Sequence, residues 1–404
     1  MFAFDFTLTF DKISLLFALN VGILGLAAII ASLKYMDIYD FKPKIPYYPT
    51  LLIFIVSMLL IPAVRDWFSF LFLWEVMTLT SYFLIIYDYP EESTKKAGWK
   101  YFVTMHLFDT TPLIFAIVLY YAVTGTFNFT SFGQYKDVIV FLMFFGFATK
   151  CGLFPLHYWL PDAHPAAPSP VSAILSGAMV ELGVYGTIRI LDLVGWSVSS
   201  WVVYVIGIMA ILSMIAAILS YPLQDDVKRL FAWSTIDNMG WMFILIVAGL
   251  LGITGVEKDI GYYVVAHGLA KAAAFMSAGA LLYVFGTKSL SKMKGFMNSD
   301  AFTAGLFAAS IFALEGVPPF NLFFNKLNVI KTLLGVSQGL AIFVAVEWVV
   351  AFIIFLKIFH AYVISEGKPE VKRKLPASLA FSIVVLLVLS LISQFMCDFI
   401  WARW

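Results

Sequence analysis

The sequence predicts an all-α polytopic membrane protein of about twelve transmembrane helices, with two inverted five-helix repeats that each contain one broken helix. Three observations carry this. Of the 404 residues, 62% are hydrophobic and only 13% charged, against roughly 25% charged in a soluble domain. The mean hydropathy of +0.92 is spread from end to end, leaving no polar stretch long enough for an extramembrane domain of roughly 50 residues. Two of the apolar segments are interrupted by Gly and Pro at corresponding places.

Lipid cannot hydrogen-bond a backbone, so each crossing must be a helix of about 20 mainly apolar residues. Such stretches run over 12–34, 45–64, 66–87, 98–122, 137–158, 169–193, 199–220, 225–252, 258–285, 299–335, 338–365 and 376–399. The separators are short and carry turn signals or charge, as in DYPEESTKK, GTKSLSKMKG and SEGKPEVKRK. About fourteen Lys and Arg fall in loops after odd-numbered helices, and about five after even ones and at the termini. Lys34, Lys42 and Lys44, Lys288, Lys292 and Lys294, and Lys368, Lys372, Arg373 and Lys374 carry most of this bias. The expected location is the cell membrane, with both termini outside. The N-terminal MFAFDFTLTFDK lacks a basic n-region and cleavage site, so the first apolar segment is expected to be retained.

The fifth segment is interrupted at CGLFPLHYWLP (151–161) and the tenth at EGVPPFNLFF (315–324). A lipid-facing helix could not tolerate the carbonyls freed there, so both breaks belong inside a bundle. Segments two to six and seven to eleven then form units in which the break falls in the fourth helix. An odd number of crossings per unit inverts the second copy. The implied division is 1–44 for the first helix and its loop, 45–193 and 194–365 for the two units, and 366–404 for a loop and the last helix. Matched interruptions in an inverted repeat point to an ion or substrate pathway at the midplane.

Ionisable residues lie at the same depth: Glu75, Asp109, Lys150, Glu181, Asp237 and Lys271, with Lys326 just past the second break and Glu347 in the eleventh segment. A charge at a helix centre costs about 2.5–3.5 kcal/mol even on the lenient insertion scale, so the series must be paired, hydrated or functional. A buried Lys facing a carboxylate changes protonation state when that partner moves or is neutralised, which is the chemistry of a proton relay. For Glu75 and Lys150 the plainer alternative is a static ion pair; for Asp237 and Glu347 a static hydrogen-bonded role has equal weight. His267 and Lys271, four residues apart, share a helical face, so an imidazole there can hand a proton to an amine. His157 and His164 flank a PDA turn at the inner surface and are either part of a proton inlet or polar loop residues.

Other chemistries are excluded or unsupported. Lys plus Arg (26) balances Asp plus Glu (25), so no basic surface is available for nucleic acid. Cys151 and Cys397 stand far apart, and no cysteine or histidine cluster has metal-ligand spacing. No pair among the five histidines is placed to ligate haem. Phosphate-loop, dinucleotide-binding and nucleophile-elbow motifs are missing, so no catalytic residue and no cofactor is assigned to this chain.

WEVMTLTSYFLI (74–85), TKCGLFPLHYWLPDAHPAAPSPVSAIL (149–175), DDVKRLFAWSTIDNMGWM (225–242), AHGLAKAAAFMSAGALLY (266–283) and EGVPPFNLFFNK (315–326) resemble the antiporter-like subunits shared by respiratory complex I, Mrp-type Na+/H+ antiporters and membrane-bound nickel–iron hydrogenase complexes. Phe108, Asp109 and the GTFNF at 125–129 resemble the family's sixth-helix region. The resemblance implies a family Glu at Glu75, Lys on the first broken helix at Lys150, a later-helix Lys at Lys271 and Lys on the second broken helix at Lys326. In the family these form a polar axis through the middle of the membrane. A typical member has fourteen helices, and the early position of Glu75 implies a form that lacks the first two. Three further positions depart from the pattern: Glu181 stands where many relatives carry Lys, Glu315 adjoins the second break, and Leu322 replaces a frequent Gly. A carboxylate beside Lys326 is suited to retuning that amine or helping to bind Na+.

The resulting expectation is a subunit translocating H+, with Na+ exchange as an added option, inside a multi-subunit respiratory complex. Its partners would be other membrane subunits, the lipid bilayer, and peripheral redox subunits carrying iron–sulfur and other redox centres. The shortened architecture favours the hydrogenase or sulfur-reductase branch. The rivals are a free-standing secondary transporter of a small solute and a transport-inactive structural subunit of the same complex.

Overall fold

The computed structural model describes residues 8–39 and 46–403; Lys42 and Lys44 lie outside them. The helices are α1 (Lys12–Tyr35), α2 (Tyr47–Leu60), α3 (Trp67–Ile85), α4 (Glu92–Thr104), α5 (Thr111–Thr124), α6 (Lys136–Cys151), α7 (Leu160–Ala166), α8 (Ser169–Ile174), α9 (Glu181–Leu193), α10 (Ser200–Ser220), α11 (Val227–Leu250), α12 (Val256–Phe285), α13 (Ala301–Glu315), α14 (Asn321–Leu334), α15 (Gln338–Tyr362) and α16 (Ala377–Arg403). Among the described residues, ten helical segments are long and apolar enough to cross a membrane. The other two expected spans are also helical, but shorter or divided. α2 and the 3-10 turn after it cover only Tyr47–Ala63, because Pro62 removes a backbone donor there. The tenth is split into α13 and α14 at 316–320.

The two repeats use the same local devices. α2 ends in the 3-10 turn Ile61–Ala63, and Asp66 caps α3 by accepting from the Ser69 amide at 2.7 Å. α10 ends in the 3-10 turn Tyr221–Leu223, and Asp226 caps α11 by accepting from the amides of Lys228 and Arg229 at 2.9 and 3.1 Å. Each of these aspartates also bridges to the loop after the next span, Asp66 to Asn128 and Asp226 to Ser289. α6 and α13 both end at glycines in the left-handed region, Gly152 (φ 70°) and Gly316 (φ 69°), a conformation that disfavours a side chain. The faces are opposite. Arg65, beside Asp66, pairs with Asp11 at the start of α1 at 3.3 Å, whereas Asp226 pairs with Lys288 at 3.5 Å after the odd-numbered ninth span.

Two π-helical stretches interrupt the bundle, Met105–Thr110 between α4 and α5 and Leu175–Met179 between α8 and α9. Each adds a residue to a turn and so rotates the remainder of its span by about 100°. The first carries Asp109 and the second delivers Glu181. Segment 169–193 and α11 are almost wholly enclosed, while α15 and α16 expose most of their surface. The outer faces carry Phe72, Phe115, Leu219 and Phe395, as lipid contact requires. Glu181 and Asp237 therefore sit on spans that lipid cannot reach, and Lys271 on α12, which is almost as enclosed, whereas Glu347 is buried on the inner face of the lipid-exposed α15.

Candidate functional site

In the first repeat, Lys150 is completely buried near the end of α6, just before the break. Its Nζ lies 3.0 Å from Asp109 Oδ2 and donates to Thr78 Oγ1 at 2.6 Å. The rings of Trp74 and Tyr101 lie 5.3 and 5.9 Å from it. The Trp74 indole N–H donates to both Asp109 oxygens, at 3.0 and 3.1 Å. Glu75 belongs to a different contact. Its side chain is a quarter exposed, accepts from Thr110 Oγ1 at 2.5 Å and faces His106 Nε2 at 3.6 Å. His106 Nδ1 is 2.8 Å from the Phe102 carbonyl, which can only accept, so Nδ1 carries the hydrogen. The sequence paired Lys150 with Glu75 as an alternative; the structure pairs Lys150 with Asp109 and sets Glu75 one step outward.

A second cluster joins the two repeats. Glu181 and His267 are both fully buried, with His267 Nδ1 2.7 Å from Glu181 Oε1. The Asn20 amide of α1 donates to Glu181 Oε2 and to the Gly177 carbonyl, each at 2.6 Å. His267 Nε2 has no partner among the described residues. One turn along α12, Lys271 donates to the Phe231 carbonyl of α11 at 3.0 Å. That carbonyl also accepts from Thr235, whose hydroxyl is 2.6 Å from Ser176 Oγ. Backbones approach closely here: a Cβ on Gly268 would lie 2.6 Å from the Gly177 carbonyl and would press on the Asn20 amide as well.

In the second repeat, Lys326 of α14 is buried with its Nζ over the rings of Trp241 and Trp348, at 5.0 and 5.6 Å. Glu315, buried at the end of α13, Asp237 and Glu347 all lie within the field of this ammonium. Asp237 Oδ2 accepts from Tyr221 OH, and Glu347 Oε2 from the Trp241 indole, each at 2.9 Å. From Glu75 to Glu347, buried or half-buried carboxylates are thus interspersed with the ammonium groups of Lys150, Lys271 and Lys326. An isolated buried charge is strongly unfavourable, and a row that mixes carboxylates with ammonium groups keeps opposite charges near one another.

His157 and His164 lie toward the opposite face from Asp11. His157 packs against Phe154 and Trp233 and lines a cavity of about 770 Å³ together with Lys100, Asp162, Asp226 and Arg229. An adjoining cavity of about 1010 Å³ shares several of these residues and reaches Lys228. The Lys228 ammonium donates to the carbonyls of Ala167 (2.5 Å) and His164 (3.3 Å). His164 is fully buried against Phe275, and neither ring nitrogen has a partner among the described residues. Outside the spans, burial pulls the Asp225 carboxyl upward, but donors from Ser289 and Ser291 outweigh it and hold the group below its ordinary value.

Sequence reasoning missed Asn20, Trp74, Tyr221 and Trp241, the donors that fix the carboxylates, and Thr78, which accepts from Lys150. Asn20 is the lone amide in the first apolar span, which is a usable signal; the aromatic donors are indistinguishable from lipid-facing aromatics until the helices are packed.

A sequence model described as NADH:quinone oxidoreductase/Mrp antiporter, TM, matches residues 64–352. Hydrogenase-4 component B of Escherichia coli is 30% identical over 355 residues, covering 83% of this chain and 52% of that protein. A Na(+)/H(+) antiporter subunit of Alkalihalophilus pseudofirmus is 28% identical over 337 residues, covering 81% and 67% respectively. The chain spans about half the length of the first curated relatives it matches. Among solved structures, the archaeal membrane-bound sulfane sulfur reductase superposes with a TM-score of 0.84 at 24% identity, over 97% of this chain and 81% of that one. The Mrp complex from Dietzia sp. gives 0.85 at 21% identity, over 97% and 83%. At these identities the superpositions establish the fold. Since the sequence match takes in both broken helices and every midspan charge described above, the chain belongs to the NADH:quinone oxidoreductase/Mrp antiporter membrane family.

Proposed function

We propose that the chain is the ion-translocating subunit of a multi-subunit complex in the cell membrane, moving H+ along the midspan row of Glu75, Asp109, Lys150, Glu181, His267, Lys271, Asp237, Glu315, Lys326 and Glu347. The observation that carries this reading is the burial, in both repeats, of lysines and a histidine among carboxylates of opposite charge. Displacing one charge in such a row changes the proton affinity of the next. Units 45–193 and 194–365 each supply one half-path, and the Glu181–His267 contact hands the proton between them. The cavities beside His157 and Lys228, with His164 beneath, serve as the inlet from the lysine-rich face, which is the inner one. Partner subunits resemble those of the hydrogenase and sulfur-reductase assemblies, and peripheral members with iron–sulfur centres supply the driving reaction. Any Na+ exchanged for H+ would enter at the Glu315 end.

Lys150→Ala tests the reading in membrane vesicles from cells that carry the variant as the sole copy. Ion pumping by the intact complex is expected to fall at least tenfold while the partner subunits still co-purify. Unchanged pumping would make the chain a structural subunit. Solute uptake by the chain expressed alone would make it a free-standing transporter. Replacing Na+ by choline in the same vesicles reads the sodium requirement.

A further inference from the structure

Within the row, Asp237 and Glu347 have a geometry more specific than that of simple members. Asp237 on α11 and Glu347 on α15 are 2% and 3% exposed. Each has one oxygen occupied by a donor, Tyr221 OH for Asp237 and the Trp241 indole for Glu347. Their remaining oxygens, Asp237 Oδ1 and Glu347 Oε1, are buried with no donor from any described residue, and the two side chains lie within hydrogen-bonding reach of each other. Two ionised carboxylates are acceptors only and repel. A contact of this kind in a low-dielectric interior requires a proton between the oxygens.

We propose that Asp237 and Glu347 form a proton-sharing carboxyl pair, which holds one proton in the resting state and selects H+ over Na+. The inference rests on the relay reading above and names the ion at this point of the row. With one proton the pair carries a single negative charge, which the Lys326 ammonium balances. Removing the proton would leave two carboxylates in contact, so release requires a cation to approach. The groups facing the pair are Lys326 and Glu315 across the second break, Lys271 and Tyr263 from α12, and Tyr221 before α11. A hard metal cation needs a shell of several oxygen ligands. Here one oxygen of each carboxyl is already capped by an O–H or N–H donor and the neighbouring charge is positive, so the contact between the two side chains suits a proton and not Na+.

The test is infrared difference spectroscopy on the complex purified through a tag on this chain, reading the C=O stretch of a protonated carboxylic acid and its shift in D2O. At neutral pH, Asp237→Asn and Glu347→Gln are each expected to remove the same single band, and the double variant to remove no more. Bands lost independently in the two variants, or no band lost in either, would overturn the pair. Exchanging Na+ for choline should leave the band in place; a sodium-dependent loss would overturn the selectivity. If either variant fails to assemble, Tyr221→Phe keeps the test decisive: loss of a donor to Asp237 must shift the band, and an unmoved band sinks the proposal. The spectrum does not depend on turnover. A band that behaves as expected while Lys150→Ala still pumps would therefore discard the transport reading alone, and the converse would discard the pair alone.

Discussion

The ammonium of Lys150 is enclosed by four groups that act on it in three ways: Asp109 neutralises it, Thr78 accepts one of its hydrogens, and the Trp74 and Tyr101 rings offer their electron-rich faces. Breaking such a buried pair from one side leaves an uncompensated charge, typically about 3–5 kcal/mol of lost stability. Asp109→Asn should fall at the lower end of that range, because the amide carbonyl can still accept from Lys150. A lowered thermal midpoint of the solubilised protein, with transport abolished, is the expected outcome. Glu75→Gln keeps the Thr110 contact at a partly exposed site and should change stability by no more than about 1 kcal/mol while still impairing transport. If Glu75→Gln proves the more destabilising of the two, the assignment of Asp109 as the partner of Lys150 is wrong. Depth in the membrane is legible in sequence, which is why Glu75, Asp109 and Lys150 stand out together. Rotation about the helix axis is not, because the π-helical turn at Met105–Thr110 changes which face Asp109 presents and leaves little trace in composition.

At the level of elements, the two π-helical stretches and the glycines beside them determine whether the charged side chains meet. Gly177 and Gly268 bring the turn before α9 against α12 so closely that neither has room for a side chain: a Cβ on Gly177 would lie 2.8 Å from the Gly268 carbonyl. Gly268→Ala must therefore push backbone against backbone beside the Glu181–His267 contact. Overpacking of this kind costs about 1–3 kcal/mol, and transport should fall with the thermal midpoint; an Ala variant with both unchanged would show that the helices have slack. The start of α1 is clamped separately, with Asp11 accepting from Arg189 at 2.5 Å and lying 3.3 Å from Arg65. Burial raises the Asp11 carboxyl, but Arg189, the Ser14 amide and Arg65 together outweigh it, so the group sits below its ordinary value. Because folding lowers this pKa, the stabilisation is complete above the unfolded value of about 3.9. It is lost as the pH falls through the lower folded value. Asp11→Asn should thus lower the thermal midpoint at neutral pH and flatten its decline in acid. Ten of the twelve expected spans and both breaks were readable from hydropathy and Gly–Pro placement, whereas α2 with its 3-10 turn, Tyr47–Ala63, is apolar but short for a crossing and the tenth is divided at 316–320.

For the whole molecule, the inverted repeat has a consequence for orientation that can be measured. Equivalent capping aspartates, Asp66 and Asp226, emerge on opposite faces, and α1 and α16 meet on the face of Asp66, where Lys12 donates to the Trp401 carbonyl at 3.0 Å. The loops after the odd-numbered spans collect Lys288, Lys292, Lys372 and Arg373 on the other face. Cytoplasmic loops retain Lys and Arg during insertion, so the Asp66 face should lie outside and the lysine-rich cavities inside. Cys151 and Cys397, the only cysteines, are buried, and the background for thiol labelling is therefore low. Ser197→Cys, exposed after α9, should react with a membrane-impermeant maleimide on intact cells. Ser291→Cys and Glu370→Cys, exposed on the other face, should react only after permeabilisation. The reverse pattern would turn the molecule over and place the inlet beside His157 and Lys228 outside. The row of midspan charges would be unaffected, because inversion makes the bundle's interior nearly indifferent to which face is up, whereas the direction of proton movement would not be.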